Sequence, residues 1–265
     1  MITSVRNARI QWIRKLQAQP RFRREENAFV AEGVRLIEEA VLSKWDILLV
    51  LFTQGLDERG QELVKKIQDT QVPVEEATPN VFKSASDTQT PQGILAVLSL
   101  PAVSLPSNAD ILLIADGVRD PGNLGTILRT ATAAGLDAVL LPPGTADAYS
   151  PKVVRAGMGA HFSLPVLSTD WDEIRRLLSQ MKETSKIYLA DAADGEIYTN
   201  ADFTKPLVLI VGGEAQGAGT HAADLMHTRV HIPMPGEVES LNVAVAAAIL
   251  MFEVVRQRTS DRPKP

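Results

Sequence analysis

Cysteine is absent from this chain of 265 residues, which excludes disulfides and thiolate metal sites. Histidine is scarce, with only His161, His221, His227 and His231. His227 and His231 stand four apart, but Val230-His231-Ile232 reads as strand, so the two would not share a helix face and no metal site is expected. No apolar run approaches the length needed to span a bilayer. The opening residues MITSVRNARI lack the apolar core of a signal peptide, and a cytoplasmic protein is expected. Aromatic residues make up 5% of the chain, too few for extensive base stacking. Excess positive charge is missing too, since the net charge is −5. Its distribution is uneven, however. Residues 1–24 carry Arg6, Arg9, Arg14, Lys15, Arg21, Arg23 and Arg24 with no acid, a local charge of +7 that leaves −12 on the remainder. Local basic clustering governs phosphate contact more than the total does.

What is present is ample apolar content, 45%, enough for two modest domains. Over the first hundred residues helical and extended patterns alternate. Residues 5–19 read as a helix with Trp12, Ile13 and Leu16 on one side, stopped by Pro20. Residues 27–31 are extended, 33–42 helical, 47–52 a buried strand, 56–69 helical, 72–75 extended, 78–84 helical and 94–98 extended. Residues 101–109, proline-containing and aperiodic, read as a linker between a domain at 1–100 and a second at 110–265.

The second domain again alternates. Strands are expected at 111–115, 138–141, 164–167, 187–190, 207–211 and 230–232. Helices are expected after Asn123, over 150–157 and 171–181, and from Leu241 onward. The aliphatic run Leu207–Val211 suits a central parallel strand. The last helix, rich in alanine and apolar all round, is expected to be buried on more than one side. Loops that follow parallel strands gather at one sheet edge, where ligands bind. They are Asp116–Arg129, Gly212–Gly219 and Pro233–Asn242. Gly212-Gly-Glu-Ala-Gln-Gly-Ala-Gly219 fits neither the phosphate-loop pattern nor a GxGxxG register, and an acid at its centre would repel phosphate. That weakens a metabolic nucleotide-using enzyme as an alternative. Ser240 reads either as an N-cap of the last helix or as a polar group at a ligand-binding helix entrance, and Asn123 either as a cap or as a site residue.

Asn123-x-Gly125-x-x-x-Arg129, Gly212-x-Glu214-x-x-Gly217 and Ile232-Pro-Met…Ser240-Leu-Asn-Val243, in this order, resemble the SpoU/TrmH-type family of RNA ribose 2′-O-methyltransferases. Residues 27–37, NAFVAEGVRLI, are similar to that family's ribosomal-protein-like substrate-binding domain. The resemblance implies an α/β fold with a trefoil-knotted, mostly parallel C-terminal sheet flanked by helices, a smaller N-terminal α/β domain and a homodimer. It implies S-adenosylmethionine as methyl donor, no metal, and structured RNA as substrate, with rRNA favoured over tRNA. Carried over by position, Asn123, Arg129, Glu214, Ser240 and Asn242 are the candidate catalytic residues. Gly212, Ile232, Met234 and Leu241 are the candidate cofactor contacts, with the partner of Glu214 left open between cofactor, RNA and loop backbone. Arg21, Arg23, Arg24 and Arg35 are the candidate RNA contacts. The alternative is a non-catalytic RNA-binding or ribosome-assembly protein of the same fold.

Overall fold

A computed structural model describes residues 1–192, 194–213 and 217–260. The chain divides into two compact units, one of Met1–Ala102 with Tyr149–Phe162, the other of Val103–Ala148 with the chain from Ser163 onward.

The first unit opens with α1 (Ala8–Ala18) and α2 (Pro20–Glu26), followed by β1 (Ala28–Glu32), α3 (Val34–Leu42), β2 (Ile47–Thr53), α4 (Glu58–Gln68), β3 (Val74–Ala77), α5 (Pro79–Ala85) and β4 (Ile94–Ser99). Its sheet has the order β1-β4-β2-β3, with β4 antiparallel to both neighbours and β2 parallel to β3. Alternation along the strands serves two cores. Leu49, Leu51, Leu95 and Val97 join Ile10, Ile13 and Leu16 of α1 on one face. Val50, Ile94, Ala96 and Leu98 join Ile37 of α3 and Leu63 of α4 on the other.

Pro20 does stop α1, but it also starts α2. Gln19 is extended (φ −124°, ψ 109°), and proline at the first helical position suits α2, where its missing N–H costs nothing. This second helix turns Arg23 inward. Only 3% exposed, Arg23 donates through Nη1 to the carbonyls of Leu16 (2.5 Å) and Gln17 (3.0 Å), groups that the end of α1 leaves unpaired. Arg23, expected among the RNA contacts, is therefore buried on the end of α1 rather than exposed. Arg21, Arg24 and Arg35 remain exposed.

The second unit contains β5 (Ile111–Asp116), α6 (Pro121–Ala134) and β6 (Ala138–Leu141). Next comes Tyr149–Phe162, with α7 (Pro151–Gly157), which sequence order places in the second domain but which packs in the first unit. Its Val154 is buried in the core around Phe29, and the Tyr149 ring lies 4.9 Å from that of Phe29. The second unit resumes with β7 (Val166–Ser168), α8 (Trp171–Leu178), β8 (Lys186–Asp191), β9 (Glu196–Ile197), β10 (Leu207–Gly212), α9 (Thr220–Leu225), β11 (Thr228–His231) and α10 (Val243–Ser260). Its sheet has the order β7-β6-β5-β10-β8-β11-β9, and each pair of neighbours is parallel. The short β9 and α9 add to the elements read from the sequence.

α10 packs on α6 and β10 through a face that includes Ala244, Ala247, Leu250, Met251 and Val254, all buried. Burial on every side is not reached within one chain. Val245 and Phe252 are 48% and 49% exposed, with Ala248 and Ile249 half-buried between them. Among the described residues no helix is long and apolar enough to cross a membrane.

Candidate functional site

Parallel pairing brings the C-terminal ends of β5, β10, β8 and β11 to one edge of the sheet, and a crevice of about 450 Å³ opens there. Gly212, Gly213 and Gly217 form one wall. Ile232 and Met234 from the loop after β11, and Ser240, Leu241, Asn242, Val243 and Ala246 at the start of α10, form others. The four candidate cofactor contacts, Gly212, Ile232, Met234 and Leu241, therefore share one cavity with Ser240 and Asn242.

Two glycines are dictated by the chain's own crossings. A Cβ on Gly212 would lie 2.1 Å from the backbone nitrogen of Ala218, and one on Gly213 would lie 2.1 Å from the carbonyl oxygen of Gly117. Two segments distant in sequence thus meet backbone to backbone at Gly213 and Gly117, while Ala218 closes back on Gly212. Asp116, 7% exposed, fastens the crossing: its Oδ2 accepts a 2.7 Å hydrogen bond from the Gly219 N–H. Thr145 holds the other strand-end loop, its Oγ1 accepting from Gly117 N–H (3.1 Å) and donating to the Ala115 carbonyl (2.9 Å).

The capping alternatives resolve. Asp120 caps α6, its Oδ1 accepting from Asn123 N–H at 2.8 Å, so the Asn123 side chain is not the cap. Asn242, rather than Ser240, caps α10. Its Oδ1 accepts from Ala244 N–H (2.9 Å) and Val245 N–H (3.3 Å), while its Nδ2 donates to Asn123 Oδ1 at 3.0 Å. This bond ties the entrance of α10 to that of α6, two of the motifs read separately from the sequence. Ser240 remains exposed on the crevice wall. Arg129 is exposed on α6, on the side that carries Asn123 and Thr126 at helical spacing and six residues beyond Asn123, ~9 Å along the axis. It does not line the crevice. Glu214 lies outside the described residues.

Sequence reasoning missed the end of β8, where Ala190 and Asp191, with Ala192 just beyond, form the remaining wall. Asp191 accepts from Arg229 Nη1 at 2.7 Å, which fixes it at the β8–β11 edge. It is the only acid among the described lining residues, and no lysine or arginine joins it. Among the described residues there is also no group of three His, Asp or Glu able to hold a metal.

The profile of the SpoU rRNA Methylase family matches residues 110–252, and that of the MRM3-like substrate binding domain matches residues 7–96. The chain is 37% identical over 256 residues to the 23S rRNA (guanosine(2553)-2′-O)-methyltransferase RlmP of Bacillus subtilis, covering 96% of this chain and 98% of that one. This chain belongs to the SpoU rRNA methylase family. Another relative is the 23S rRNA (uridine(2479)-2′-O)-methyltransferase of Streptomyces viridochromogenes, 32% identical with coverage of 98% and 93%. The crystal structure of the SpoU methyltransferase AviRb from the same organism, in complex with the cofactor AdoMet, superposes with a TM-score of 0.86 at 30% identity, over 97% of this chain and 100% of that one. The crevice described above lies wholly within the part of the chain that carries the SpoU match.

Proposed function

We propose that this SpoU methylase transfers a methyl group from S-adenosylmethionine to the 2′-hydroxyl of a ribose in rRNA. The observation that carries this reading is the convergence of Gly212, Ile232, Met234, Ser240, Leu241 and Asn242 on one crevice, with Asn123 joined to it through Asn242. The lining fits the cofactor. Its walls are mostly apolar, and no lysine or arginine is among the described lining residues, which suits an apolar-bodied cofactor and disfavours a polyphosphate. Gly212, Ile232, Met234 and Leu241 hold the cofactor by backbone edges and apolar contact. When bound, it supplies an electrophilic methyl group.

A ribose hydroxyl is a weak nucleophile at neutral pH, so the protein's task is alignment and help with one proton. A guanidinium is a permanent cation and makes a poor base. Arg129 instead grips the phosphate beside the target ribose and stabilises negative charge as the hydroxyl ionises, with that phosphate taking the proton. Asn123, Ser240 and Asn242 orient the ribose and Arg129 by hydrogen bonds, and Glu214 is retained in the catalytic set by its motif position. RNA is gripped through residues 1–100, with exposed Arg21, Arg24 and Arg35 on phosphates.

The apolar face of α10 that one chain leaves open, Val245 to Phe252, supports a homodimer through the domain at 110–265. The close backbone approach of Gly213 to Gly117 supports a trefoil-knotted path. The cytoplasm, where rRNA is assembled, is the proposed compartment.

The test is transfer of labelled methyl from S-adenosylmethionine to separate pools of unmodified rRNA and tRNA, with Arg129→Ala in parallel and nuclease digestion to locate the label. Label on a ribose of rRNA, lost in the variant, is the expected result. Absence of both label and cofactor binding would leave the non-catalytic RNA-binding reading.

A further inference from the structure

A second cavity, of about 600 Å³, lies in the first unit at the turn from β1 into α3. Its size suits a small organic ligand. Three guanidiniums face it, those of Arg35, Arg59 and Arg155, together with three carboxylates, those of Glu32, Glu39 and Asp57.

Most of these charges are fixed in place by partners outside or at the rim. Arg59 donates to both oxygens of Glu38, through Nε at 2.8 Å and through Nη2. Arg155 pairs with Asp87 at 3.0 Å. Glu32 accepts from Ser86 Oγ at 2.7 Å and Thr88 Oγ1 at 2.8 Å, and Asp57 caps α4 by accepting from Gly60 N–H at 2.8 Å.

Three polar side chains are left unused. Arg35, Glu39 and Gln92, all exposed, make no side-chain hydrogen bond or ion pair among the described residues. Gly33 makes room for the Gln92 amide: its φ of +115° favours glycine, and a Cβ there would lie 2.8 Å from Gln92 Oε1. At the lip stands Met158, 54% exposed and held at φ +47°, a left-handed conformation that costs a methionine free energy.

A site for phosphate alone has no use for three carboxylates, and a cation site none for three guanidiniums. An unstacked nucleotide matches both, because its phosphate is anionic while its base edge both donates and accepts. An amide such as that of Gln92 reads such an edge from either side, and a polarizable thioether packs against a base face.

We propose that this cavity binds one unstacked nucleotide of the substrate RNA, with Arg35 on its phosphate, Gln92 on its base edge and Met158 against its face. The site is distinct from the methyl-transfer crevice and gives the first unit a means of reading RNA beyond charge. It rests on the reading of rRNA as substrate.

The experiment uses the full chain and an unmodified rRNA fragment that the parent methylates, carrying single abasic positions in turn. RNA affinity is measured across a salt series, and S-adenosylmethionine affinity by calorimetry. Gln92→Ala should weaken RNA binding ~10-fold with the salt slope intact, whereas Arg35→Ala should weaken it and lower the slope by about one. One abasic position should cost as much as Gln92→Ala, and combining the two should cost no more than either alone. Cofactor affinity should be unchanged throughout. Full RNA affinity in both variants, or strictly additive losses at every abasic position, would overturn the nucleotide site while leaving the methyltransferase reading intact. Failure of the parent to bind or methylate any rRNA would overturn both, and is seen without recourse to a variant.

Discussion

The crevice of the second unit is walled by backbone and small apolar side chains, with Gly212 under the Gly217–Ala218 backbone and Gly213 against the Gly117 carbonyl. The cavity of the first unit is walled by long side chains, arginines, glutamates and a glutamine, some of them held by ion pairs and hydroxyls. One is a shape made by chain crossings, the other a set of chemical groups attached to an ordinary sheet-and-helix frame. The first kind of site has no slack for added volume, because backbone cannot rotate away as a side chain can. The second tolerates truncation and loses affinity one group at a time. The difference suits the two tasks: a cofactor of fixed structure needs a fixed mould, while RNA contacts can be added or removed piecemeal.

The largest effect should come from adding one methyl group to the mould. Gly213→Ala places a Cβ 2.1 Å from the Gly117 oxygen, so the two loops must part. Calorimetry should find no S-adenosylmethionine binding, and the denaturation midpoint should fall. Gly236→Ala, in the loop after β11 with no atom within 4 Å of the new Cβ, should leave both unchanged. Equal behaviour of the two variants would refute the picture of a mould set by backbone contact.

Arg129→Lys comes next. It keeps the charge but loses the planar fork that holds a phosphate. Methyl transfer should fall by ~10²-fold, the scale of removing one charge-stabilising donor, while cofactor affinity stays near that of the parent, since Arg129 lies outside the crevice. Parallel loss of both would place Arg129 in the mould rather than on the RNA.

A subtler pair separates the two jobs of Asn242. Asn242→Ala removes both the cap of α10 and the bond to Asn123, whereas Asn123→Ala removes the bond and leaves the cap in place. Stability should drop by ~1 kcal/mol more in the first, the typical worth of a cap. Transfer should fall similarly in both if the bond between helices is what orients the ribose. Urea denaturation and turnover, measured on both single variants and the double, check this.

How much of this could be read beforehand follows the same division. The loops that hold Gly212, Ile232, Met234, Leu241 and Asn242 are legible as strand ends of a parallel sheet, while the choice of these residues within them rests on the resemblance to the SpoU/TrmH-type motifs. Asp191 was not legible, because its place on the crevice depends on β8 lying between β10 and β11, an order no periodicity encodes. The burial of Arg23 was not legible because proline marks a helix start as readily as a stop, and α2 turns its side chain inward. Ser240 and Asn242 compete for one capping role two residues apart, and only the hydrogen bonds of Asn242 decide between them. An all-apolar final helix signals burial without saying whether one chain supplies it, and α10 leaves Val245 and Phe252 exposed.

The smallest effects should lie on the basic surface of the first unit, where the contrast can be drawn within one helix. Arg21 and Arg24 are exposed on α2, Arg21 loosely paired with Glu25 at 2.7 Å across one helical turn, a kind of pair worth little to stability. Their joint replacement by alanine should leave the denaturation midpoint within error and lower the salt slope of RNA binding by about two. Arg23→Ala, one residue from either, should do the opposite. Removing its guanidinium leaves the carbonyls at the end of α1 without their donor, at ~1–3 kcal/mol for a buried unsatisfied group. The salt slope should not change, because Arg23 is buried against the end of α1. A reduced slope in Arg23→Ala with stability intact would mean that its side chain turns outward when RNA binds, and that the inward geometry belongs to the free protein alone.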